Sequence, residues 1–215
     1  MNKCFELHKL FNGMKRYNYK NIDTIPFNNG VYIFFGENEK YNGMDRIIRV
    51  GTDTGQNNLK SRMKQHFLKP NKDRSIFRKN IGRALLNKNN ETELYNYWNL
   101  DLTSKEQKEK YFNPRLNEQC KKIENEITNY LCKNMEFVVF NLETKKDRLR
   151  FEEAIISTLY HSEDFIASKG WLGNYVPTNI IGNHVVNSRM WISQGIKAKE
   201  ITDEELEKLK RICMQ

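Results

Sequence analysis

The sequence predicts an α/β fold in which a small three-stranded, mostly antiparallel sheet is flanked by helices. Three observations lead there. Runs of β-branched and aromatic residues of strand length stand at 31–35, 46–51 and 135–142. The first two are separated by Gly36, Asn38, Asn42, Gly43 and Asp45, residues that turns require, so they read as a hairpin. Elsewhere apolar residues recur every three to four positions, the period of a helix.

In chain order, residues 1–24 form an N-terminal helical extension. Phe5, Leu7, Leu10 and Phe11 make a short amphipathic helix, which Gly13 and the Tyr17/Tyr19 region end. The main domain spans 25–195, and Pro26 opens its first strand, where a missing N–H is tolerated. After Gly51 the stretch TDTGQNN has no apolar residue, and Leu59, Met63 and Phe67 then follow the i, i+4 spacing of a helix. Arg62 and His66 fall beside that stripe, at the rim of a core and facing the hairpin. From Asp73 a second helix places Ile76, Phe77, Ile81, Ala84 and Leu85 on its core side. Arg74 and Arg78 lie on one edge of it and Lys79 and Arg83 on another, which suits either phosphate contact or an ordinary basic solvent face.

Residues 88–133 read as a helical insertion. Its first part, 91–102, is aromatic and irregular; Thr103 or Ser104 then caps a short helix that Pro114 interrupts. Leu116, Cys120, Ile123, Ile127 and Leu131 predict a further helix of nearly five turns before the third strand. Thr144 and Asp147 approximate a capping box for the next helix, whose apolar face comprises Leu149, Ile155, Ile156, Leu159 and Tyr160. Glu152 falls inside that face and Glu153 near its edge. A carboxylate buried unpaired costs several kcal/mol at the order-of-magnitude level, so Glu152 needs donors, a cation such as Arg62, or a metal ion. Beyond His161 the chain is irregular, punctuated by Gly170, Gly173, Pro177 and Gly182 and anchored by Trp171 and Trp191. His184 in this stretch reads as a loop residue. A C-terminal helix over 196–215 is capped by Thr202 and Glu205 and carries Leu206, Leu209 and Ile212.

Composition bounds the function. No run of eighteen apolar residues suggests a membrane span and the N-terminus shows no signal-peptide pattern, so a soluble, cytoplasmic protein is expected. Cys4, Cys120, Cys132 and Cys213 are scattered without metal-ligand spacing and read as free, buried thiols. Residues 45–90 hold twelve Lys/Arg against three Asp/Glu, a balance of +9 that equals the net charge of the whole chain. That concentration points to a polyanionic partner. Lys60, Lys64, Arg74, Arg78, Lys79 and Arg83 are its candidate nucleic-acid contacts.

These residues together resemble the GIY-YIG endonuclease family. The first signature tripeptide stands as Gly30-Val31-Tyr32 and the second as Arg49-Val50-Gly51, followed by a helix with Arg62 and His66 and a later helix with Glu152-Glu153-Ala154-Ile155-Ile156. Arg49 occupies the place of the second signature tyrosine. The resemblance implies a metal-dependent endonuclease acting on nucleic acid, with double-stranded DNA the expected partner and Mg²⁺ or Mn²⁺ the expected cofactor. It implies Tyr32 as general base or relay, His66 as the residue that positions Tyr32 or shuttles a proton, Arg62 as phosphate clamp and Glu152 as metal ligand; Arg49, a departure from the family, reads either as a cation that assists Tyr32 and binds phosphate or as a surface strand residue of an inactive protein. Asn174 resembles an asparagine that the family places near metal and phosphate. The alternative is a catalytically inactive nucleic-acid-binding module of the same fold.

Overall fold

The computed structural model describes residues 2–179, 184–192 and 194–214, so Gly182 lies outside the described residues. Three strands, β1 (Gly30–Tyr41), β2 (Met44–Thr52) and β3 (Met135–Asn141), form an antiparallel sheet in the order β2-β1-β3. A lone antiparallel bridge from Tyr17 to Phe137 adds one rung of a fourth strand beyond β3, which the three-strand expectation lacked. β1 begins at Gly30 rather than at Pro26 and runs on through the segment expected to be a loop. The true turn is only Asn42-Gly43, with φ of 48° and 81°. Two successive left-handed residues make the tight turn whose twist suits a hairpin. The polar residues before it belong to an irregularity in the strand: the register jumps between Phe35 and Lys40, and Asn38 has φ 64°. That excursion turns Glu39 inward, where its carboxylate accepts the Arg46 Nε–H at 2.7 Å.

Strand alternation divides the interior into two cores, one on each face of the sheet. Tyr32, Phe34, Phe137 and Val139 point to the first, which α2 (Leu59–Phe67), α3 (Ile76–Lys88), α4 (Thr92–Asn99) and α6 (Pro114–Asn134) cover. Val31, Ile33, Val50, Val138 and Phe140 point to the second, under α1 (Lys3–Asn12), α7 (Lys145–His161) and the C-terminal helix α9 (Asp203–Cys213). The terminal helices are thus fully part of the packing: Leu7, Phe11, Leu206 and Leu209 are completely buried.

Local chemistry sets the helix boundaries. Ser104 accepts from Gln107 N–H and starts α5 (Lys105–Tyr111), and Pro114 sits in the first turn of α6, where its missing N–H has no intrahelical role. Thr144 caps α7, and Thr202 with Glu205 forms a complete capping box on α9. The stretch expected to be irregular at 91–102 contains the helix α4, which buries Leu94, Tyr97 and Trp98. Its indole lies so close to α3 that a Cβ on Gly82 would come within 2.3 Å of it. The short α8 (Val185–Ser188) lies in the Trp-anchored loop region. All four cysteines are free, with Cys4 and Cys120 buried and Cys132 and Cys213 half-buried. Among the described residues no helix is long and apolar enough to cross a membrane.

Candidate active site

β2 is the outer strand of the sheet, and a cleft of about 350 Å³ opens along it. Arg49, Thr52 and Asp53 line its floor, Arg62 and Ile76 come from the helices on one face, and Glu152 comes from α7 on the other. Tyr32 also borders it. The sheet edge therefore brings together side chains from both cores.

The tyrosine is held from three directions. Tyr32 is fully buried and its Oη lies 3.0 Å from His66 Nε2. His66 Nδ1 lies 2.9 Å from the hydroxyl of Ser75, the N-cap of α3. Arg49 Nη2 reaches Tyr32 Oη in a long contact of 3.5 Å. Burial, with Arg49, Arg62 and Arg78 nearby, holds the His66 imidazole well below its ordinary pKa and so neutral. His66 was expected at the rim of a core; it lies entirely inside, in edge-on contact with Phe34 and Phe77.

A bulge positions Arg49. Phe34 pairs with Arg49 but Phe35 pairs with Ile47, so Ile48 is an extra residue in β2. The Ile48 carbonyl accepts the Trp191 N–H at 2.7 Å, and Arg49 Nη1 donates to the Trp191 carbonyl. Arg49 stacks 4.7 Å from the centre of the Phe77 ring, and among the described residues its buried Nε has no hydrogen-bond partner.

Glu152 is inward-facing and 9% exposed, whereas Glu153 is on the surface, as the helical wheel requires. Burial pushes the Glu152 carboxyl up to about 7; Arg49, the Thr52 backbone amide and Arg62 oppose the shift, and Glu153 adds to it. Among the described residues Glu152 makes no ion pair within 4 Å, so the plain Arg62–Glu152 pair is absent. Arg62 Nη1 instead donates to Gln65 Oε1 within α2 and to the Arg74 carbonyl before α3, each at 3.0 Å. Asp53 also lines the cleft, but its oxygens are taken by Gly55 N–H and Asn58 Nδ2. No group of three His, Cys, Asp or Glu side chains among the described residues could enclose a metal ion. One carboxylate beside an open cleft, with a backbone amide but no ion pair among the described residues, suits Mg²⁺ or Mn²⁺, which keep waters and share phosphate oxygens, and does not suit an all-protein cage.

The other candidate contacts divide. Arg74 is exposed at the mouth of α3, and Lys60 and Lys64 are part-exposed on α2, Lys64 paired with Asp23 at 2.7 Å. Arg78 is a correction: it is completely buried, paired with Glu124 of α6 at 2.7 Å and donating to the His66 carbonyl. A helical wheel places it on an edge, but α6 packs over that edge. Lys79 contacts Asp73, just before α3, and Arg83 is engaged by Asn99 of α4 and by Asn80, so both are engaged by protein groups. Asn174 is exposed and bonds the Ser168 and Lys169 carbonyls; it does not line the cleft. His184 precedes α8, also away from the cleft. Ile76, expected in the core, is 37% exposed at the cleft wall.

Two residues that the sequence pattern did not single out shape the site. Ser75 is one. The other is Arg148, buried four positions before Glu152 on the same helical face; its guanidinium donates to the Asp53 and Gly55 carbonyls and to those of Leu142 and Glu143. It fixes the cleft-lining loop to α7. Its i, i+4 spacing from Glu152 was the available signal.

A family model described as a GIY-YIG domain matches residues 4–215. No curated protein and no solved structure matches.

Proposed function

Because the chain belongs to the GIY-YIG domain family, whose nucleases act on nucleic acid, we propose that it is a metal-dependent endonuclease that hydrolyses phosphodiester bonds in double-stranded DNA. The observation that carries this reading is Glu152: a buried carboxylate without an ion-pair partner among the described residues, facing a cleft that Tyr32, Arg49 and Arg62 also line. A fold does not retain such a group for stability alone.

Glu152 is the residue that would hold Mg²⁺ or Mn²⁺. When bound, the ion supplies polarisation of the scissile phosphate and charge neutralisation at the leaving oxygen. Arg62 presents a planar fork to a non-bridging oxygen, a geometry that lysine lacks. Arg49 contributes a second, fixed positive charge from the floor of the cleft, where low dielectric strengthens it. Tyr32 acts as general base or relay toward the attacking water, with the Arg49 and Arg62 cations lining the same cleft. His66, neutral and locked between Tyr32 and Ser75, orients the phenol. Outside the cleft Arg74, Lys60 and Lys64 offer phosphate contacts that set register and carry no sequence information.

The test is incubation of the purified protein with supercoiled plasmid with Mg²⁺, with Mn²⁺ and with chelator. Nicked or linear product only with metal, abolished in Glu152→Gln, supports the reading. Binding without cleavage would make Arg49, in place of the second signature tyrosine, the mark of an inactive nucleic-acid-binding module.

A further inference from the structure

The hydrogen-bond chain from α3 to Tyr32 contains a choice of proton position that its own chemistry resolves. Ser75 Oγ is 2.9 Å from His66 Nδ1 and 3.3 Å from the backbone nitrogen of Arg78. As N-cap it accepts the Arg78 N–H, and Ser75 is only 1% exposed. Its hydroxyl proton must then find a buried acceptor, and among the described residues the only such atom in contact with it is His66 Nδ1. If Nδ1 carried the proton instead, Ser75 Oγ would accept twice and leave a buried O–H unsatisfied, a state that folded proteins avoid. A neutral imidazole with Nδ1 accepting has its proton on Nε2.

We propose that Ser75 is a positioning residue: by donating to His66 Nδ1 it fixes the imidazole proton on Nε2, so that His66 donates to Tyr32 rather than accepting from it. The Tyr32 oxygen then faces two donors, His66 Nε2–H at 3.0 Å and Arg49 Nη2–H at 3.5 Å. Neither can accept the phenol's own proton. The proton of Tyr32 is therefore directed to the cleft it borders; once it has passed to solvent there, Tyr32 Oη, not His66, is where a proton drawn from the attacking water comes to rest. The depressed pKa of His66 agrees, since an imidazole so placed does not take up a second proton. A helix cap thereby sets the direction of the bond at the tyrosine. The catalytic consequence rests on the nuclease reading; the proton position does not.

Ring-nitrogen NMR of ¹⁵N-histidine-labelled protein, with His66 assigned by a His66→Gln variant, reads the tautomer directly. The expected spectrum has His66 protonated at Nε2 and bare at Nδ1. Ser75→Thr keeps both hydroxyl and cap and should keep that spectrum and the cleavage rate. Ser75→Asp keeps a good cap but can only accept, so Nδ1 should gain a proton and kcat on plasmid should fall about a hundredfold with KM unchanged. A wild-type spectrum with Nδ1 protonated would overturn the proposal, as would a Ser75→Asp protein with the wild-type spectrum and rate. Should Ser75→Asp fail to fold, the wild-type spectrum alone decides. Absence of cleavage by the wild-type protein would sink the nuclease reading while leaving the spectrum to judge this one.

Discussion

The ring of Tyr32 lies directly over Gly51, so close that a Cβ at residue 51 would sit 2.4 Å from Tyr32 Cζ and Oη. The two are paired across the β1–β2 ladder, so neither can move away without breaking the hairpin. The final glycine of the second signature tripeptide is therefore the floor on which the first signature's tyrosine rests. Gly51→Ala should displace the phenol, costing about 1–3 kcal/mol of stability by overpacking and most of the cleavage activity. Thermal unfolding and the plasmid assay measure both; a variant with wild-type activity would show that the phenol position does not matter.

Glu152 makes the fold sensitive to pH in a stated direction. Its folded pKa of about 7 lies above the ordinary 4.5. The contribution to stability is thus fully present below about pH 4.5 and is lost as pH rises through about 7. The loss amounts to about 3 kcal/mol. Glu152→Gln should be more stable than the parent at pH 8 without metal and no different at pH 4. Added Mg²⁺ should raise the melting temperature of the parent at pH 8 and leave that of the variant unchanged. Equal melting temperatures for parent and variant at pH 8 would remove the argument for an uncompensated carboxylate.

Arg49 is the cation that most lowers the pKa of Glu152. Arg49→Gln should let that pKa rise further, moving the acid limb of the metal-dependent cleavage profile to higher pH. Arg49→Tyr, which restores the usual signature residue, should retain more activity than Arg49→Glu. An unshifted acid limb in Arg49→Gln would place the titrating group elsewhere.

Arg74 and Arg78, four residues apart, should behave oppositely. Arg78→Ala strands buried Glu124 and should cost about 3–5 kcal/mol, read as a lowered urea midpoint. Arg74→Ala should leave stability unchanged and flatten the log–log dependence of DNA affinity on salt by about 0.9. A flattened slope in neither Arg74→Ala nor Lys60→Ala would move the phosphate-binding surface away from the α2–α3 region.

What the sequence made legible was whatever local periodicity and capping determine. The α6, α7 and α9 helices follow from their apolar stripes and caps, and the wheel alone set Glu152 inward and Glu153 outward. The length of β1 was hidden because the polar excursion before Asn42-Gly43 breaks alternation and imitates a loop, while the pairing resumes at Lys40 and Asp45. Arg78 could not be placed because its partner Glu124 is brought over it only by the packing of α6 on α3. Ser75 was not singled out, because its contact to His66 depends on how α2 and α3 meet. Arg49 was legible as a substitution in a signature and not as a residue held by a bulge and by Trp191.

The rung that Trp191 adds outside β2 reaches beyond the site it steadies. An outermost strand offers unpaired backbone groups to any other chain, the usual route to edge-to-edge aggregation. At the Ile48 bulge the register is already broken, and the Trp191 N–H occupies the carbonyl that a neighbouring strand would need. Arg49 ties the other side of the same residue. One backbone carbonyl on the edge of the strand on which the cleft is built is thus already used, so one loop residue both holds Arg49 and blunts that edge.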